Sequence, residues 1–252
     1  MDPFLRWYEA LERRHLQGLQ FHELRRSVQA LSSLYVERRG TLERRSAMDT
    51  AGKRAAFACY FAPLHFLLIR NIVQSLKAGD APASRILDLG CGVGSAGAAW
   101  ALAMEPKPKV IGVDRHPWAV QEARWTYAEF GLPASARLQD LRTLRLPRGA
   151  AVVAGFTLNE LPPDVRDALS GKLLQAAARG APVLVVEPIA KRLAPEWGKW
   201  WTEWARNAAA AGGIEAEWRF PALLPERLAL LDRAAGLDHR ELTGRSLWFP
   251  GR

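Results

Sequence analysis

Hydrophobic positions follow two different rhythms along this chain. From Arg85 onward, short apolar runs bounded by Gly, Pro or Asp alternate with longer segments of helical period. The runs Arg85–Leu89, Lys109–Val113, Ala136–Gln139, Ala151–Phe156 and Pro182–Glu187 predict strands. The segments Ala96–Met104, Trp118–Phe130, Asp164–Arg179 and Pro225–Ala235 predict helices. Strict alternation of this kind belongs to an α/β fold, a parallel sheet with helices on both faces. The pattern closes with a terminal hairpin, Asp238–Thr243 against Arg245–Phe249.

Ahead of Arg85 the rhythm is helical throughout, and residues 1–79 read as a separate region. Phe4, Leu5, Tyr8, Leu11 and Leu16 recur at helical spacing; Leu24, Val28, Leu31 and Leu34 or Tyr35 make a second stripe over Phe21–Val36. Ala55–Leu76 predicts a long apolar helix broken by Pro63, and Lys77–Ser84 a linker. Residues 191–220 stand out as an insertion. There Trp197, Trp200, Trp201 and Trp204 fall on one helix face, a spacing that predicts core, with a lid over a ligand as the rival.

The stretch Arg85-Ile-Leu-Asp-Leu-Gly90-Cys-Gly-Val-Gly94-Ser95 organises the rest: a strand, a glycine-rich turn, then a helix. Gly90, Gly92 and Gly94 allow a tight turn with room for a ligand against the main chain. Gly92-Val-Gly94-Ser-Ala-Gly97 is also a literal dinucleotide fingerprint. Asp88 argues against a pyrophosphate there and for a ligand carrying positive charge. Further carboxylates stand at successive strand ends. Asp114 follows the second strand about twenty residues beyond the turn, where an acidic side chain meets ribose hydroxyls or caps the next helix. Asp140 follows the third, and Asn159 and Glu160 follow the fourth. Ligands of open α/β sheets lie at these ends, so Asn159 and Glu160 are the polar candidates to face a reacting group.

Charge and cysteine content narrow the setting. The formal charge is +9, and residues 1–85 carry fourteen Lys/Arg against eight Asp/Glu, or +6. Arg pairs at 13–14, 25–26, 38–39 and 44–45 could track a phosphate backbone; they are equally the solvated faces of amphipathic helices. Two distant cysteines, Cys59 and Cys91, suit a reducing cytoplasm and supply no four-cysteine metal site. No run of eighteen apolar residues predicts a membrane span, and no secretory pattern opens the chain.

The run Asp88-Leu-Gly-Cys-Gly-Val-Gly94 resembles motif I of the class I S-adenosylmethionine-dependent methyltransferases, and the resemblance extends over residues 85–249. It implies a Rossmann-like seven-stranded sheet over 85–252 and S-adenosyl-L-methionine as cofactor. By that resemblance Asp88, Gly90, Cys91, Gly92 and Gly94 shape the methionine end, Asp114 and Arg115 the ribose, and Asp140 and Leu141 the adenine edge. Asn159 and Glu160 would then orient the acceptor, with no metal. More narrowly, Ala154-Gly-Phe-Thr-Leu-Asn-Glu-Leu-Pro162 and Val185-Val-Glu-Pro188 resemble methyltransferase-like proteins of the small ribosomal subunit, which implies RNA as substrate. The cysteine cluster common in that family is missing, for residues 188–252 contain no cysteine. A small-molecule methyltransferase with a helical lid, and a non-catalytic RNA-binding factor, are the alternatives. An Arg-lined groove at the cofactor mouth favours RNA; a mouth sealed by apolar side chains favours a small ligand.

Overall fold

The computed structural model describes residues 2–37, 48–189 and 195–251. Strands β1 (Arg85–Leu89), β2 (Lys109–Asp114), β3 (Ala134–Leu138), β4 (Ala151–Gly155) and β5 (Val183–Glu187) pair in parallel. The chain runs from β1 outward to β2 and β3, then returns to place β4 on the other side of β1. That reversal opens a crevice between the carboxyl ends of β1 and β4, where open α/β sheets hold ligands.

The far edge departs from the expected hairpin. Glu241–Phe249 is one strand, β7, and its partner is β6 (Ile214–Pro221), which lies largely inside the expected insertion. β7 inserts antiparallel between β5 and β6, giving the order β3-β2-β1-β4-β5-β7-β6. Gly244, between the two segments of the expected hairpin, marks a close approach: a Cβ there would lie 2.9 Å from Leu68 Cδ2.

Helices α1 (Pro3–His15) and α2 (Phe21–Glu37) precede α3 (Ala51–Ala56) and α4 (Ala62–Ser75). Asp2 caps α1, its carboxylate accepting from the Phe4 N–H at 3.0 Å. The buried stripe of α1 is Phe4, Trp7, Tyr8 and Leu11, whereas Leu5 is exposed. Pro63 does not break the long helix. A π turn over Phe57–Phe61, closed by the Ala62 N–H on the Phe57 carbonyl, joins α3 to α4 and makes room for the proline ring. The resulting helix, Ala51–Ser75, is long and apolar enough to cross a membrane, contrary to the reading of the sequence. However, 78% of its most apolar window is buried within the chain's own fold.

Helices α5 (Ser95–Ala101) and α6 (Pro117–Glu129) flank β2, α7 (Pro163–Ala178) leads from β4 to β5, and α8 (Pro195–Ala210) and α9 (Glu226–Ala234) flank β6. α5 is shorter than expected; Lys107 Nζ caps its frayed end, donating to the Leu102 and Met104 carbonyls at 3.0 Å each. One face of the sheet shares a continuous core with α1–α4: Trp7, Phe66 and Phe130 pack with ring centroids 5.2–5.4 Å apart, and Trp7 Nε1 donates to Thr126 Oγ1. The other face packs α7 and α8, and Trp197, Trp201 and Trp204 are buried there. The tryptophan stripe is core rather than lid.

The Arg pairs divide. Arg14 is committed to α6, its guanidinium donating to both oxygens of buried Glu122 at 2.8 and 3.0 Å, with His15 at 3.0 Å. These partners hold the Glu122 carboxyl down at about 2 despite its burial. Arg13 faces solvent beside Glu9. The pairs at 38–39 and 44–45 lie outside the described residues.

Candidate functional site

At the end of β1 the chain turns through Gly90 (φ +59°), Gly92 (φ +53°) and Gly94 (φ +89°) into α5. A Cβ at Gly90 would come within 2.6 Å of Thr157, and one at Gly94 within 2.9 Å of Tyr127. What a side chain would strike is therefore the protein itself, so these glycines let the turn seat tightly as well as adopt left-handed backbone.

Asp88 braces this turn from behind. It is fully buried, and its Oδ2 accepts from the Gly97 N–H at 2.8 Å and the Tyr127 hydroxyl at 2.9 Å. Burial pushes its carboxyl up to about 7, against the pull of those donors. It lines neither of the two cavities that meet at the turn. Asp114, nearly as buried, holds the turn from the front: Oδ2 accepts from the Gly92 N–H at 3.0 Å and Oδ1 from the His116 N–H at 2.9 Å. Asp114 does not cap α6, whose N-cap is His116 with no side-chain cap bond; its carboxylate instead ties the glycine turn to the backbone entering the helix.

The first cavity runs along the carboxyl ends of β1, β2, β3 and β4. Gly90, Asp114, Arg115, Asp140, Leu141 and Glu160 all line it. Asp140 also starts a turn, accepting from the Arg142 N–H at 2.8 Å. The second cavity lies on the other side of Gly90 and Glu160, which border both. Cys91, Gly92 and Ser95 form its floor; Met48, Phe57, Ala62, His65 and Ile69 from the N-terminal helices form its wall, with Phe156 beside them. Asn159 lines neither cavity, and its Oδ1 is buried without a partner among the described residues.

The segment carrying Glu160 is held by a residue that sequence reasoning gave no role. Glu187, at the end of β5, accepts from the Thr157 and Leu158 N–H groups at 3.1 and 2.8 Å. Thr157 Oγ1 in turn donates to the Leu89 carbonyl at 2.8 Å, tying the segment to the glycine turn. The signal was a lone carboxylate ending the apolar run Val183–Glu187. Burial pushes the Glu187 carboxyl up to about 8. Both Asp88 and Glu187 therefore hold protons in the folded chain that the unfolded chain releases near pH 4. Their stabilising effect is complete below about pH 4 and declines as pH rises through 7 and 8. The urea midpoint should fall over that interval, and Glu187→Gln should flatten the fall; a variant with the wild-type slope would contradict the assignment.

Two more residues went unrecognised. Phe156 adopts φ +55°, a conformation costly for a bulky side chain, on the order of 1–3 kcal/mol. Its ring stacks on His65 at 3.8 Å and 13°. His65 lies on α4, and burial pushes its imidazole down to about 3, so it is neutral at ordinary pH.

Residues 86–180 match the family model described as a methyltransferase domain. Among curated proteins, the carboxy-S-adenosyl-L-methionine synthase of Trichlorobacter lovleyi is 30% identical over 136 residues, 51% of this chain and 54% of the relative. The synthase of the same name from Idiomarina loihiensis is 26% identical over 131 residues, 50% and 54% of the two chains. The chain thus spans about half the length of the curated relatives it matches. Among solved structures, the apo form of the S-adenosylmethionine-dependent methyltransferase SibL aligns with 99% of this chain and 74% of its own, at a TM-score of 0.53 and 19% identity. The mitomycin 7-O-methyltransferase MmcR aligns with 100% of this chain and 69% of its own, at 0.51 and 16%. Residues 86–180 thus match a methyltransferase domain, and the chain as a whole shares its fold with S-adenosylmethionine-dependent methyltransferases of solved structure.

Proposed function

We propose that this chain transfers the methyl group of S-adenosylmethionine to a small organic acceptor, with the adenosine half of the cofactor in the first cavity, its methionine end over the glycine turn that floors the second, and the acceptor on the apolar side of that second cavity. The observation that carries the reading is the shared border: Gly90 and Glu160 belong to both cavities, so a cofactor crossing from the first meets an acceptor in the second there. The residues suit the cofactor. Asp114 offers a buried carboxylate to ribose hydroxyls, Asp140 and Leu141 an acceptor and an apolar surface to the adenine, and the bare Gly90 backbone allows close approach. Bound S-adenosylmethionine would supply an electrophilic methyl on positively charged sulfur.

The chain's own part is positioning and proton removal. Glu187 and Thr157 fix the turn that carries Glu160, so its carboxylate has a set place at the border. Glu160 would take the acceptor's proton as the new bond forms. Glu160→Gln should lower turnover by roughly 10²–10⁴-fold, the range for a general base, while cofactor affinity stays near wild type. An unaltered rate would remove Glu160 from the chemistry.

The apolar wall of the second cavity favours a small acceptor over RNA, and Arg14 is already engaged within the fold. The deciding experiment incubates the protein with methyl-labelled cofactor and a size-fractionated cell extract. Label in a low-mass, nuclease-resistant product supports the reading; nuclease-sensitive label in RNA overturns it in favour of the ribosomal resemblance. Mass analysis of the cofactor itself separates both from carboxylation of S-adenosylmethionine, the product named for the curated relatives.

A further inference from the structure

We infer that Arg166 and Arg245 form a binding site for a small oxyanion, a carboxylate or phosphate, on the face of the sheet that packs α7 and α8. The site lies outside both cavities and is independent of the methyl transfer proposed above.

Three elements bring the donors together. Arg245 stands on β7 in register with Glu187 at the end of β5. Arg166 lies near the start of α7, which follows β4, and Trp197 near the start of α8, which follows β5. The Trp197 ring is common to both guanidinium groups, with Arg166 Cζ 5.5 Å from its centroid and Arg245 Cζ 5.6 Å. Each lies closer over a second indole, Arg166 over Trp200 at 4.5 Å and Arg245 over Trp201 at 4.2 Å.

A guanidinium lying over an aromatic face keeps its N–H groups in its own plane, free to bond. Here they are unused. Arg245 is 7% exposed, and its Nε and Nη2 are buried with no hydrogen-bond partner among the described residues. Those two atoms are one edge of the guanidinium fork. In Arg14 the same edge grips the Glu122 carboxylate at 2.8 and 3.0 Å, so this chain itself shows what such an edge takes. Arg166 Nε and Trp197 Nε1 are also buried without a hydrogen-bond partner among the described residues; Asp167 lies 3.8 Å from Arg166 Nε, beyond hydrogen-bond reach. Glu187 adds a further donor. Its Oε1 accepts from the Thr157 and Leu158 N–H groups, which leaves its proton to Oε2, buried and unpartnered among the described residues.

These five atoms are all donors, and buried donors left unpaired are costly. Burial lowers the Arg245 guanidinium from its ordinary value in spite of Glu187, Glu215 and Glu217, and that of Arg166 in spite of Asp167, Glu196 and Glu187. The surrounding carboxylates therefore leave both cations under-compensated. A ligand with two or more negatively charged oxygens supplies the missing acceptors and the missing charge together. The Arg166 side chain is 15% exposed and Trp200 beside it is half-buried, so the cluster reaches solvent at that end.

Tryptophan emission tests this on the full chain, because Trp197, Trp200 and Trp201 border the two guanidinium groups. The probes are acetate, neutral acetamide of the same shape, and inorganic phosphate, at constant ionic strength. Wild type should saturate with acetate or phosphate at a concentration roughly tenfold or more below that needed for acetamide, the scale of a charge-assisted fork. The tighter anion tells a carboxylate site from a phosphate site. Arg245→Gln should raise the half-saturating concentration at least about tenfold, and Arg245→Lys, which keeps the charge and loses the fork, should restore part of the affinity. Arg166→Gln, at the exposed end, should also weaken binding, and it decides the matter if the Arg245 variants fail to fold. Arg145→Gln, an exposed arginine away from the cluster, should bind as wild type does. Absence of a saturable response to either anion overturns the proposal, as do equal responses to acetate and acetamide, or an affinity unchanged by Arg166→Gln and Arg245→Gln. Methyl transfer is read from the label alone, so its failure is distinguishable from any of these.

Discussion

Alanine at Asp114 should weaken S-adenosylmethionine binding by about 1–3 kcal/mol, roughly a five- to 150-fold rise in dissociation constant. Two losses combine in that figure. The ribose loses a charged acceptor, and the Gly92 N–H, bonded to Asp114 Oδ2 at 3.0 Å, loses the partner that sets the turn. Asparagine should fall between, since its amide oxygen can still accept from one N–H while the charge is gone. Isothermal titration gives the affinity, and thermal denaturation without cofactor separates a loosened turn from a lost contact. Wild-type affinity in the alanine variant would take Asp114 out of the binding site.

Trp7→Ala should cost about 3–5 kcal/mol of stability, the range for removing a large buried aromatic side chain. Trp7 is 1% exposed and packs between Phe66 of α4 and Phe130 beyond α6, so its loss opens the seam joining the N-terminal helices to the sheet. Because that seam belongs to one continuous core, unfolding should remain a single transition by circular dichroism and by tryptophan fluorescence. Two separated transitions, or a loss below about 1 kcal/mol, would show that the N-terminal helices fold as a unit apart.

The alternation of strand and helix from Arg85 was legible because the inner parallel strands β1, β4 and β5 are short runs buried on both faces. The last two strands were not. β6 is an edge strand whose residues alternate between exposed and half-buried, so Ile214–Pro221 reads as an interrupted surface segment. The expected hairpin parted at Gly244 because a sequence cannot show that Leu68 presses against it. At the site, Gly90, Asp114, Asp140 and Glu160 were legible from their places at strand ends, and they meet along one cavity. His65, Phe57 and Met48 were not, because their link to the glycine turn is made by packing alone, across separations that no local pattern records.

Phe57 and Ile69 each serve twice, as part of the large core and as part of the wall of the second cavity. Ile69 is fully buried, and its Cδ1 lies 2.9 Å from where a Cβ on Gly155 would stand. With the acceptor in the second cavity as proposed, selectivity and foldedness are coupled at these positions. A lineage or a designer seeking a bulkier or smaller acceptor could not reshape that surface independently, and would need compensating substitutions deeper among the helices before the new preference became tolerable.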